Sequence, residues 1–175
     1  MNLELHHFFI LVEPKAKVAD LLLDLGMDEG TRNTHKGQGT SNRRFYFLNG
    51  MLEFLWVNDE IEANSGPGQD MLIPKRAKEP TASPFGLILN RKDNENLNLP
   101  FNGWQYQPDY LKPPQYFHVG ENSNNLLEPL VFYVPFIKPK PLVLKAEKGN
   151  FKLISQVNIH TSSEAISNVL SIAST

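Results

Sequence analysis

The chain has 175 residues, 41% of them hydrophobic and 21% charged, with a formal net charge of −2. That size suits one domain, or two small modules sharing a core. The near-neutral balance argues against the basic face of a large nucleic-acid footprint, and a cysteine-free sequence excludes disulfides, thiolate catalysis and Cys-based zinc sites.

Leu5 to Val12 is a short buried-strand pattern. Pro14 stops it and can begin a helix, in which Val18, Leu21, Leu22 and Leu25 recur at helical spacing before Gly26 as a C-terminal cap. The N-terminus has no basic region ahead of its apolar run and reads as a strand, not a signal peptide. No segment approaches the roughly 20 apolar residues of a membrane helix, so the expectation is a cytoplasmic protein without membrane contacts. Residues 27–38 are polar and carry one irregular strand.

Thr40–Leu48 and Met51–Val57 form two strands joined by Asn49-Gly50, a strong hairpin signal because both residues tolerate positive φ. A two-residue turn there pairs Phe47 with Leu52 and Tyr46 with Glu53. Alternation then assigns two faces. Arg43, Phe45, Phe47, Leu52, Phe54 and Trp56 form an apolar layer to pack under the helix. Asn42, Arg44, Tyr46, Glu53 and Leu55 share the opposite, concave face, with Arg44 on a diagonal from Glu53. Residues 59–82 read as a polar linker, 83–91 as a strand, and 92–114 as a long irregular loop with four aromatics. Tyr116–Val119, Leu127–Phe136 and Lys152–Ile159 are further strands. Thr161–Glu164 is a capping box opening a final helix. MLEFLWV (51–57) resembles LLEPLVF (126–132), which sets Glu53 against Glu128 and makes the second half a worn copy of the first.

A strand headed by HH, a helix, then His35-Lys-Gly37-Gln-Gly39-Thr40-Ser-Asn42 and a hairpin ending in LEFLWV resemble the glyoxalase-like members of the vicinal oxygen chelate superfamily. The resemblance covers most of the chain and is sharpest over residues 5–58. It implies an α+β fold in which a βαβββ module (1–58), a linker (59–82) and a degenerate second half (83–175) form one domain with a cupped, mostly antiparallel sheet. Many members hold a divalent metal in the cup with one His or Gln and one Glu from each module. His7 and Glu53 match the first pair; Glu128 matches in the second, but the strand head near Pro84 offers no ligand, so no metal ligands are assigned.

Glu53 and His7 are the candidate acid–base pair, with Arg44 to stabilise anionic charge in an isomerase or lyase. The structural alternative pairs Glu53 with Arg44 to satisfy a buried polar face. His35, Asn42, Tyr46, Leu55 and Glu128 are candidate substrate contacts. The Gly37–Gly39 loop lets backbone approach a ligand, or simply makes the turn into the next strand. Alternation turns His6 away from the cup, and His160 stands beside a helix cap as a structural or exposed residue. The expected ligand is a small polar or carbonyl-containing molecule, turned over or merely sequestered. The expected assembly is a homodimer that covers an open sheet edge, with no nucleic-acid partner.

Overall fold

The computed structural model describes residues 3–92, 98–137, 150–160, 164–171 and 173–174. The fold is α+β and centres on β1 (Leu3–Leu11), whose Phe8–Leu11 end is apolar and whose middle carries His6 and His7. It is followed by α1 (Val18–Asp24), β2 (Asn33–His35), β3 (Thr40–Phe47), β4 (Gly50–Val57), α2 (Glu60–Ser65) and α3 (Ile73–Lys78). The second half supplies β5 (Phe85–Arg91), β6 (Gly103–Tyr106), β7 (Phe117–Gly120), β8 (Leu130–Tyr133), α4 (Glu164–Ser171) and β9 (Ala173–Ser174). The strands form one curled sheet in the order β2-β3-β4-β1-β5-β8-β7-β6, and β9 pairs with β1 off that path. Along the path, among the described strands, only β4–β1 and β5–β8 are parallel.

The two faces of the first hairpin fall as expected. Phe45 and Phe54 pack edge to face, 6.0 Å between ring centroids, in a layer with Phe47, Ala16 and Ala19. The turn itself is different. Phe47 pairs with Gly50 and Arg44 with Glu53, so the turn residues are Leu48 and Asn49, and neither Asn49 nor Gly50 has positive φ. The shift preserves the faces because strand side chains alternate with period two. Its cause is the Asn49 side chain, which donates to the carbonyl of Ile154 at 2.9 Å and accepts from the Ile154 N–H at 2.9 Å. The segment from Lys152 to Ile159, expected as a strand, uses its backbone groups here and has no ladder of its own.

Three further expectations change. Most of the helical stripe on α1 is exposed, Leu21 at 62% and Leu25 at 59%, and only half-buried Leu22 and small Ala19 pack onto the sheet. Residues 59–82 are not a linker. Asp59 caps α2 by accepting from the Glu62 N–H, Pro74 sits in the first turn of α3, and Met71 and Ile73 enter the core. The loop 92–114 contains β6. The helix of the predicted C-terminal cap is present as α4, but residues 161–163 of the capping box lie outside the described residues. No helix among the described residues is long and apolar enough to cross a membrane.

Arg76 of α3 ties the halves together. It is buried, and its guanidinium donates to the carbonyls of Met71, Ser123, Asn125 and Glu128 at 3.2, 2.9, 3.0 and 2.7 Å. Burial pulls its pKa down to about 10. Replacing Arg76 with Met keeps the volume and strands these carbonyls. Because each unsatisfied buried group costs roughly 1–3 kcal/mol, we expect a stability loss of about 3 kcal/mol or more, read as a lower urea midpoint at unchanged slope.

Candidate functional site

The sheet curls around a cavity of about 280 Å³. Its polar side is built on the first four strands. Glu53, in the middle of β4, is Cα-paired with Phe9 on β1 and Arg44 on β3, and it is 5% exposed. A buried carboxylate requires donors, and three neighbours stand around it. The Asn42 amide donates to Oε1. His7 Nε2 lies 3.6 Å from Oε2, and His35 Nε2 lies 3.9 Å from Oε1. Burial pushes the Glu53 carboxyl up, but His7, His35 and Asn42 together outweigh it and hold the pKa below the ordinary carboxylate value.

Each neighbour is itself braced. Asn42 Oδ1 accepts from the Asn33 N–H at 2.9 Å, which turns the amide NH₂ toward Glu53. His35 Nδ1 is 3.0 Å from Thr40 Oγ1, and Thr40 accepts from Gln38 Nε2 at 2.9 Å. Gln38 Oε1 in turn accepts from the hydroxyls of Tyr106 and Tyr110 at 2.8 and 3.2 Å. Burial pushes both phenols' pKa values up, so they remain donors. The loop carrying His35 and Gln38 is clasped by Glu62 of α2, whose two carboxylate oxygens accept from the N–H groups of Gly37 and Gly39 at 2.7 and 2.9 Å. Gly39 adopts φ +69°, and a Cβ there would meet the Asp59 carbonyl at 2.2 Å.

His6 also faces the cavity. Alternation should turn it away, but the β1–β5 register shifts between Leu5 and His7, and this bulge brings both histidines to the cavity lining. Their Nδ1 atoms are 2.7 Å apart. In that bond one ring nitrogen carries the proton and the other accepts it. Burial, then the charge of His7, pushes the pKa of His6 down to about 4. Burial also lowers that of His35, helped by Arg44 and His7 against Glu53.

The sequence candidates thus divide. His7, His35, Asn42, Glu53 and Leu55 converge on the cavity, and Arg44 reaches its lining. Arg44 is not the partner of Glu53, however. Its guanidinium turns to the Thr31 carbonyl, with Nε at 2.8 Å, and sits over the Tyr46 ring. Tyr46 is outside the cavity because its ring is covered by Gly30, where a Cβ would lie 2.0 Å from it. Glu128 is outside as well. It precedes β8, Pro129 interrupts the ladder there, and its carboxylate accepts from Asn125 at 3.1 Å. His6, Gln38, Tyr106 and Tyr110 were not among the candidates. The HH doublet and the aromatics of residues 101–116 were their only signals.

A divalent metal does not fit. Among the described residues no group of three or more His, Cys, Asp or Glu could hold one. His7 and His35 approach different oxygens of Glu53, His6 and His7 occupy each other's Nδ1 atoms, and the second half faces the cavity with Ile88, Phe117 and Phe132. A hard or borderline cation needs more oxygen or nitrogen donors than this.

The fold and site define an α+β protein whose sheet curls around a cavity, polar on one wall and aromatic on the other. No protein-family model and no curated protein matches the chain. Among solved structures, it is similar to a hypothetical protein from Staphylococcus aureus, at 14% identity and TM-score 0.45, covering 77% of this chain and 59% of that one. It is also similar to a hypothetical protein from Bacillus halodurans C-125, at 13% identity and TM-score 0.49, covering 77% of this chain and 94% of that one. The chain therefore spans less than two thirds of the first of these proteins.

The imidazoles make a pH prediction. His6 and His35 both hold a proton less readily in the fold than in the unfolded chain. The stability they contribute is complete above their ordinary value of 6.5 and falls with pH, for His6 toward about 4. Glu53 adds a loss below its ordinary value of 4.5, because the unfolded chain takes up that proton more readily than the fold does. We expect stability to drop by on the order of 2 kcal/mol between pH 6.5 and 4, and His6→Phe to flatten that slope in urea titrations.

Proposed function

We propose that the chain is a glyoxalase-like protein of the vicinal oxygen chelate type that binds a small polar or carbonyl-containing molecule in this cavity and acts on it as an isomerase or lyase. The strand order, which reads outward identically from β1 and β5, supports paired βαβββ modules. The parallel pairings Phe8–Leu52 and Gly86–Leu130 have the same sequence separation, which supports the same reading. The observation that carries the chemistry is a buried, ionised carboxylate coupled to two linked imidazoles in one cavity.

A substrate C–H acidified by an adjacent carbonyl gives its proton to His6 Nε2. His6 passes its Nδ1 proton to His7, and the resulting His7 imidazolium stands opposite Glu53. His6 alone is too weakly basic to keep a proton at neutral pH, and its bond to His7 gives that proton a place to go. Glu53 serves as the counter-charge, and Arg44 at the cavity margin can stabilise the enolate. The second reading is sequestration without turnover, favoured by the largely apolar far wall, which suits binding more than chemistry.

Glu53→Gln separates the two. For the enzyme we expect turnover to fall about 10²–10⁴-fold while the substituted protein still binds ligand and stays folded. A wild-type protein that binds ligands but converts no carbonyl compound, by product-resolved assay, would replace the enzyme reading with sequestration.

A further inference from the structure

The cavity's second wall identifies a ligand class. Along one rung of the sheet, His7 is Cα-paired with Ile88, and Ile88 with Phe132. The first half thus offers an imidazole where the second offers aliphatic and aromatic carbon. Phe132 meets Phe9 and Phe117 edge to face, with centroids 6.1 and 6.3 Å apart, and Phe117 stacks on Tyr106 at 6.0 Å. Phe9 joins this wall from the polar half because Gly86, its partner on β5, has no side chain. A Cβ there would lie 2.0 Å from the Phe9 ring. Four rings from four strands therefore stand in one continuous group across from the histidines.

Volume limits what fits. A dry apolar cavity of about 150 Å³ accepts benzene, so a cavity of about 280 Å³ has room for one ring and a short polar substituent. At the polar end the linked His6 and His7 rings line the cavity, and a hydroxyl can pair with an imidazole nitrogen as donor or acceptor. The geometry points to a single-ring aromatic compound carrying a hydroxyl, its ring against Phe117 and Phe132 and its hydroxyl at the His6–His7 pair, bound without a metal. This rests on the cavity being the ligand site, as proposed above, but not on turnover.

Benzyl alcohol, cyclohexanol and glycerol test it, titrated into the wild-type protein in the presence and absence of EDTA. Methyl-detected NMR reports on Ile88. We expect benzyl alcohol to bind at least about tenfold more tightly than glycerol and more tightly than cyclohexanol, unchanged by EDTA, with the Ile88 methyl resonances shifting. Phe132→Leu should weaken benzyl alcohol selectively; if that variant unfolds, the Ile88 shifts in wild-type protein decide the matter. Tighter binding of glycerol, binding only with added Mg²⁺, Mn²⁺ or Zn²⁺, or shifts that spare Ile88 would overturn the ligand class. Benzyl alcohol bound equally by the Glu53→Gln variant, with no turnover of any carbonyl compound, would remove the enzyme reading and leave this one standing. Binding by none of the three compounds would overturn this ligand class and leave the enzyme reading to the carbonyl-compound assay.

Discussion

Burying Glu53 as an anion is the constraint from which the site follows. A carboxylate withdrawn from water must be compensated, and here Asn42 on β3 donates to it while His7 on β1 and His35 on β2 stand 3.6 and 3.9 Å from its oxygens. None of those side chains holds its position alone. The Asn33 N–H orients Asn42, and the Thr40–Gln38–Tyr106 chain reaches across the cavity to orient His35. Such networks favour a single arrangement because each member left unpaired in a low-dielectric interior would be costly. The same network fixes which atoms remain open to a ligand.

Support for that network lies in the stretch between the halves. Glu62 clasps the Gly37–Gly39 loop, and Arg76 gathers carbonyls from the second half. A carboxylate and a guanidinium on two short helices therefore join the cavity-lining loop to the rest of the fold. Both helices are only six residues long, too short to be stable alone in water. Their order depends on the contacts they make, so loop geometry and the packing of the two halves are coupled.

These features also explain how much was legible in the sequence. The faces of the β3–β4 hairpin were readable because alternation survives a shift of two residues, even though the turn sits one position earlier than Asn49-Gly50 implies. That Asn42 and Glu53 share a face followed from that alternation, whereas His7 was singled out by the family resemblance. Three things were hidden. Asn49 turned out to serve a segment more than 100 residues away, an interaction of |i−j| = 105, which no local turn rule contains. The bulge that brings His6 inward has no side-chain signature beyond the doublet itself. The helices of residues 59–82 are short and polar in sequence, and only the burial of Met71, Ile73 and Arg76 reveals their role. Glu128 illustrates the opposite error. A repeat in sequence suggested a repeated role, but Pro129 removes the backbone donor that would continue the ladder past it.

Strand order and chemistry diverge across the central β1–β5 pair. The sheet's topology is the same read from either end, while its cavity-facing side chains are polar on one wall and aromatic on the other. The two walls are not independent. Rings from Phe9, Phe117 and Phe132 displace water that would otherwise screen Glu53 and its imidazoles, and Coulombic coupling grows as the local dielectric falls. A ligand ring filling the remaining space would exclude more water and strengthen the Glu53–His7 contact further. Filling the aromatic wall would then tighten the contacts of Glu53 at the polar wall, so the apolar and polar walls act together.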